Sequence, residues 1–183
     1  MTRPARNRLV VALFIAAAFF SAPRLPNAVL WGATAVASPI VLLALWVSLP
    51  FQRARSLLRK REFDAAATEL AAFESSIAGV SWKRALAGLA VGLYTSNPLA
   101  ASRNTLGAVR LEQGRLDDAQ THFRAALEHD AGYAVPWGNL AVLAAMRGDA
   151  PGAEDARLKA ASLGFRPKML AAVIKDKLTS HRR

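Results

Sequence analysis

Residues 106–127 read LGAVRLEQGRLDDAQTHFRAAL, and residues 140–161 repeat their pattern as LAVLAAMRGDAPGAEDARLKAA. At this shift of 34 residues four identities coincide: Leu106 with Leu140, Gly114 with Gly148, Ala119 with Ala153, and Ala126 with Ala160. From Leu116 onward the apolar residues of the first stretch return every three or four positions, as they do on one face of an α-helix. A fixed period of this length is typical of arrays built from repeated pairs of helices.

Small residues stand where the two helices of each pair are expected to cross. Gly107 and Ala141 lie within the predicted first helices, and we expect Ala119 to face Gly107 from the second helix. A larger side chain at either position would hold the two backbones apart. Gly114 and Gly148 are predicted to end the first helices, because glycine accepts the left-handed backbone conformation that follows many helices.

The same residues resemble the consensus of the tetratricopeptide repeat, a helix–turn–helix unit of 34 residues. The first unit carries Leu106-Gly107, Gly114, Ala119-x3-Phe123 and Ala126-Leu127, and the second carries Trp137-x2-Leu140, Gly148 and Ala153. Arg103 and Arg157 stand where this family usually has large apolar residues. The resemblance implies an all-α fold, two such units over residues 100–165, and a role in binding proteins.

The segments that flank this pair of units are predicted to extend the array. Residues 51–99 are expected to hold a basic linker, a degenerate unit around Arg61-Glu62-Phe63-Asp64-Ala65-Ala66, and an extra apolar helix at Trp82–Tyr94. That helix is either buried in the array or placed at the membrane interface, with Lys83 and Arg84 among the headgroups. Residues 166–183 are predicted to form a capping helix, which starts at Pro167, and a basic tail.

The N-terminal region is apolar enough to enter a membrane. After a basic tail at residues 1–8, residues 9–50 are predicted to form a hairpin of two transmembrane helices, 9–25 and 28–49. The second helix has no charged residue and is about 33 Å long, which is enough to cross a bilayer. The first apolar run is shorter, so a cleaved signal peptide, a mitochondrial presequence and a re-entrant segment are alternatives for it.

The distribution of charge indicates a membrane protein rather than a nucleic-acid-binding one. The formal net charge is +11, yet residues 1–61 hold nine lysines and arginines and no carboxylate, and the rest of the chain is close to neutral. Basic residues flank both ends of the apolar region, so the positive-inside rule places both termini and the repeat domain in the cytoplasm. We expect an integral protein of a bacterial inner membrane that contacts the lipid bilayer and binds no nucleic acid.

No sequence motif indicates catalysis. The chain has three histidines and no cysteine. His122 and His129 are separated by about 10.5 Å along a helix, which is too far for two ligands of one metal ion. No nucleophile motif and no glycine-rich phosphate loop occur. We therefore expect a protein without enzymatic activity, cofactor or metal site.

The resemblance also indicates where a partner would bind. The inner face of the first helices comprises a small and mostly apolar set of residues: Asn104, Ala108, Leu111, Glu112, Asn139, Val142, Ala145 and Met146. This set suits a helix or an extended peptide laid in a groove. It suits ordinary packing between neighbouring units equally well.

Together these features predict a membrane-anchored scaffold or adaptor that holds a protein partner beside the bilayer. The alternative is a structural accessory subunit of a larger membrane complex, which would be bound mainly through its transmembrane helices. The sequence does not identify the partner, because repeat scaffolds serve many functions.

Overall fold

The computed structural model of the chain describes residues 27–90 and 94–166, with side chains from residue 39 onward. This part is entirely helical and contains no β-strand, which confirms the all-α prediction for it. Its helices are α1 (Asn27–Arg59), α2 (Phe63–Ile77), α3 (Ser81–Ala90), α4 (Pro98–Glu112), α5 (Leu116–His129), α6 (Ala134–Met146) and α7 (Ala150–Ser162). The predicted apolar helix 9–25 lies outside the described residues, as does the capping helix predicted within 166–183 except for Arg166.

Helix α1 is longer than the predicted transmembrane helix, and it continues unbroken through two prolines. The expected basic linker is therefore wrong for residues 51–59, which form the last turns of α1. Phe51 and Ala54 are 2% and 0% exposed there, and the Phe51 ring packs against the Phe73 ring of α2 with 5.3 Å between centroids. Exposed arginines alternate with these apolar residues, which is why composition alone favoured a linker.

Three helix–turn–helix pairs close their turns in the same way: α1–α2, α4–α5 and α6–α7. In each turn a backbone N–H donates to the carbonyl five residues earlier, from Glu62 to Leu57, from Arg115 to Arg110 and from Asp149 to Ala144. The residue before each donor has a positive φ, which is 64° at Arg61, 75° at Gly114 and 77° at Gly148. The predicted helix ends at the two glycines are confirmed, and α1–α2 has an equivalent turn with an arginine in the place of glycine.

The three pairs also bury equivalent positions. On the first helices these positions hold the small residues Ala54, Gly107 and Ala141, all of them buried. On the second helices, Ala66, Leu70 and Phe73 of α2 correspond to Ala119, Phe123 and Ala126 of α5, and each is 0% exposed. In α7 the corresponding Ala160 is buried, whereas Arg157 forms a surface ion pair with Glu154. The last pair therefore buries less apolar surface than the first two.

The close crossing predicted for α4 and α5 is confirmed at Gly107. A Cβ atom built on Gly107 would lie 2.6 Å from two ring carbons of Phe123 and 3.2 Å from the carbonyl oxygen of Ala119. Carbon atoms in contact are ordinarily about 3.5–4.0 Å apart. The missing side chain is therefore what lets the two helices approach each other.

Two apolar clusters form the core, and α4 belongs to both. The first cluster contains residues of α1, α2, α3 and α4, among them Val109 of α4. The second cluster contains residues of α4, α5, α6 and α7, among them Leu111 of α4. Helix α4 packs against α2, α5 and α6. Because it is enclosed on these sides, it buries polar as well as apolar residues, among them Ser102, Asn104 and Thr105.

Helix α3 is the inserted apolar helix of the sequence, and it packs mainly against α1. Its Ala87 is 0% exposed in the first cluster, whereas Trp82 and Leu89 are 50% and 74% exposed. One face of this helix is thus buried in the array, and the other is open.

Candidate functional site

Most of the large apolar side chains that are exposed in the described structure lie on one helix, α1. Within the part of the chain whose side chains are described, Pro39–Arg59 is the one stretch long and apolar enough to cross a membrane, with a mean hydropathy of 1.2. The core helix of a soluble protein also meets this criterion, but such a helix is mostly buried, and here 28% of the apolar window is buried. Seven large apolar side chains from Ile40 to Leu49 are 39–66% exposed.

The residues predicted to line a partner groove lie along α4 and α6, and two of them meet directly. Asn139 Nδ2 donates a hydrogen bond to Asn104 Oδ1 at 2.8 Å. Asn104 is 7% exposed. This hydrogen bond joins α4 to α6, and it leaves Asn104 little exposed surface for a partner.

The other members of the predicted groove are divided between core and surface. Leu111 and Val142 are 7% and 2% exposed and belong to the second cluster, and Met146 packs against that cluster. The remaining residues of the set are half-buried: Ala108, Glu112 and Ala145. Much of this face is therefore occupied by contacts between neighbouring pairs, and its half-buried residues are what it offers to a partner.

A cavity of about 330 Å³ between α5, α6 and α7 was not expected from the sequence. It is lined by apolar residues, including Trp137 and Leu140, and by the cations Arg124 and Arg147. The Nε1 atom of Trp137 is buried and has no hydrogen-bond partner among the described residues. A buried indole N–H usually finds an acceptor, and no pattern in the sequence of α6 distinguishes Trp137 from the core-filling residues around it.

Arginines fix the positions of neighbouring helices. Beside this cavity, Arg147 at the C-cap of α6 donates to Gln120 Oε1 of α5 at 2.7 Å and pairs with Asp117. Arg103 of α4 pairs with Glu74 of α2 at 2.8 Å, and the Glu74 side chain is 18% exposed. The arginine that departs from the tetratricopeptide pattern thus connects two helices by an ion pair instead of an apolar contact.

The described histidine and carboxylate side chains form no metal-binding cluster. In residues 39–90 and 94–166, no group of three or more histidine, aspartate and glutamate side chains is placed to hold a metal ion. His122 and His129 lie on α5, and His181 lies outside the described residues. Burial and the neighbouring Arg103 and Arg110 guanidinium groups lower the pKa of His122 below its ordinary value of 6.5.

Comparison with known proteins does not add a family to this description. No protein-family model matches the chain, and neither does any curated protein.

Proposed function

We propose that this protein is a membrane-anchored scaffold of the tetratricopeptide type, which holds a protein partner beside the bilayer. The anchor is α1, and the scaffold is the array of helix pairs that α1 begins. The positive-inside rule places this array on the cytoplasmic side, because Arg53, Arg55 and Arg59 follow the apolar part of α1.

The observation that carries this proposal is the continuity of α1. Its apolar part exposes large side chains between Ile40 and Leu49, and its last turns supply Phe51 and Ala54 to the first cluster. A helix of 33 residues is about 50 Å long, whereas the hydrocarbon core of a bilayer is about 30 Å thick. The helix is therefore long enough to cross a membrane and to form half of the first pair without a flexible linker.

The exposed apolar surface of α1 supports a membrane as its environment. Soluble monomers rarely expose contiguous apolar patches beyond a few hundred Å². Lipid offers no hydrogen-bond partners to backbone groups, but an α-helix satisfies these groups internally. A helix with an exposed apolar surface is therefore stable in a bilayer.

The three equivalent pairs support the tetratricopeptide assignment. Their turns share one hydrogen-bond pattern, and their first helices share a small buried residue at Ala54, Gly107 and Ala141. At least three repeats are normally needed for a stable array. Counting α1–α2 as a pair brings the number to three, and it makes the membrane helix part of the array.

Photo-crosslinking of the full chain in native membranes tests the scaffold function. A crosslinking residue would replace Ala145, a half-buried member of the predicted groove, and, as a control, Ala65, which is exposed on α2. We expect one defined protein to be captured from position 145 and not from position 65. The same captured proteins at both positions, or no protein adduct at position 145, would contradict a partner in this groove.

Purification in mild detergent then separates the scaffold from the accessory-subunit alternative. A scaffold is expected to carry its partner in less than equimolar amount, because the partner exchanges. A constant one-to-one complex that includes further membrane proteins would favour a structural subunit.

A further inference from the structure

A second cavity lies between α1, α2 and α3, where the apolar part of α1 gives way to its basic part. Its volume is about 250 Å³, and it is lined by Trp46, Leu49 and Pro50 and by the two cations Arg53 and Lys83. Arg53 belongs to α1, and Lys83 belongs to the first turn of α3. The fold thus brings together two cations that are 30 residues apart in the sequence.

Neither cation is neutralised by the array. Arg53 makes no ion pair or hydrogen bond with any residue that the structure describes, and the contact found for Lys83 is with the Trp82 ring, 5.7 Å from Nζ to the ring centroid. No aspartate or glutamate from the described residues lines the cavity. Two positive charges without a counter-ion favour an anionic ligand.

The apolar wall of this cavity indicates that the anion belongs to a lipid. Leu42, Trp46, Leu49 and Arg53 follow one another at helical spacing, so they form one stripe along α1. The three apolar members of this stripe are 66%, 60% and 42% exposed. The stripe therefore leads from the apolar part of α1 directly to a cation at the cavity.

Two exposed tryptophans place the cavity at the level of the headgroups. Trp46 is 60% exposed and Trp82 is 50% exposed. Tryptophan rings favour the interface between hydrocarbon and water. Long basic side chains close to a membrane surface favour anionic lipids, by roughly fivefold for each lysine or arginine.

We propose that this cavity binds the phosphate of an anionic phospholipid, with Arg53 and Lys83 on the phosphate and one acyl chain along the stripe that ends at Leu49. This inference rests on the proposed membrane anchoring of α1. A lipid held at both α1 and α3 fixes the rotation of α1 and keeps the open face of α3 on the membrane.

The selectivity of the full chain for spin-labelled lipids tests this proposal. The protein would be reconstituted in phosphatidylcholine vesicles, and its association with spin-labelled phosphatidylglycerol and phosphatidylcholine would be compared by EPR. We expect a preference of about fivefold or more for phosphatidylglycerol, and its loss in the double variant Arg53→Ala, Lys83→Ala. The control is Arg59→Ala, Arg84→Ala, which removes the same charge from the same two helices at exposed positions and should keep the preference.

Each outcome decides a separate question. If the preference for phosphatidylglycerol falls equally in both double variants, it comes from general attraction to the charged surface, and the proposed lipid site is wrong. The proposed site is also wrong if the wild type shows no preference. If 10 mM inorganic phosphate abolishes the preference, the site is one for a free anion and the lipid assignment is wrong. Membrane anchoring itself is measured in parallel by flotation with pure phosphatidylcholine vesicles. Flotation that resists alkaline carbonate, without lipid preference, leaves the anchor intact and rejects the cavity alone.

Discussion

Replacing Gly107 by alanine tests the close crossing of α4 and α5. The new Cβ atom would lie 2.6 Å from Phe123 Cδ1 and Cε1, so the ring has to move by about 1 Å to reach an ordinary contact distance. Phe123 is 0% exposed, and close-packed surroundings resist such a shift. Overpacking of this kind costs about 1–3 kcal/mol, whereas alanine in place of glycine within a helix contributes about 1 kcal/mol of stability. We expect a net loss of about 0–2 kcal/mol.

A double-mutant cycle with Phe123→Leu makes this prediction sharp. In that background the ring carbons are gone, so Gly107→Ala should keep its helix-propensity gain and stabilise the protein by up to about 1 kcal/mol. The sign of the effect should therefore reverse, with a coupling energy of about 1–3 kcal/mol between the two positions. The assay is thermal unfolding of the full chain in detergent, followed by circular dichroism. An equal effect of Gly107→Ala in both backgrounds would refute the close crossing.

Other features of the array give further predictions. Arg103→Ala leaves the largely buried Glu74 carboxylate without its partner, so it should lower the free energy of unfolding by about 1–3 kcal/mol. The control Arg124→Ala, at an exposed position of α5, should change the free energy of unfolding by no more than about 0.5 kcal/mol. Equal losses in the two variants would contradict the role of the ion pair. The Asn97 side chain caps α4 by accepting hydrogen bonds from two backbone N–H groups, and it donates one to a carbonyl of α5 at 2.8 Å. Asn97→Ala should therefore lower the free energy of unfolding by about 1–2 kcal/mol. Asn97→Asp keeps the cap alone, so its melting temperature should lie between those of Asn97→Ala and the wild type. The pKa of His122 is lowered in the folded protein, so the unfolded chain binds the proton more readily and the stability should fall as the pH drops below about 6.5. His122→Gln should reduce this loss of stability. If the melting temperature of His122→Gln depends on pH as that of the wild type does, His122 does not contribute to the loss.

The sequence predicted helices across the region of α4 to α7, and the structure is helical there, because the features that mark these helices lie close together in the sequence. Gly114 and Gly148 end helices through their own backbone freedom, and Gly107 and Ala119 act through a contact between neighbouring helices. Such features recur in the sequence with the period of the helix pairs. A comparison of one unit with the next is therefore enough to find them.

The same comparison missed that α1 belongs to the array. Ala54 precedes Gly107 by the 53 residues that separate Ala66 from Ala119, so the spacing already contained the signal. Three arginines within the last turns of α1 and a preceding apolar run favoured a membrane helix followed by a linker. Helix α1 carries both patterns, and sequence periodicity does not reveal where two overlapping patterns share a helix.

The candidate sites were less predictable than the fold. Leu111 and Val142 carry the residue types expected of a groove, but the rotation of α4 and α6 within the array turns them into the core. That rotation depends on every neighbouring helix and is not encoded at those positions. The cavity with Arg53 and Lys83 is likewise formed by three helices, and no single segment carries its pattern.

Site-directed spin labelling tests directly whether α1 crosses the bilayer and then enters the array as one helix. Since the chain has no cysteine, single cysteines at Leu42 and Arg59 can each carry a nitroxide label in the full chain reconstituted in vesicles. EPR power saturation then compares the access of dissolved oxygen with that of a water-soluble nickel chelate. We expect the label at position 42 to be accessible to oxygen but not to the nickel chelate, and the label at position 59 to be accessible to the nickel chelate. Equal access of nickel to both positions would contradict this expectation.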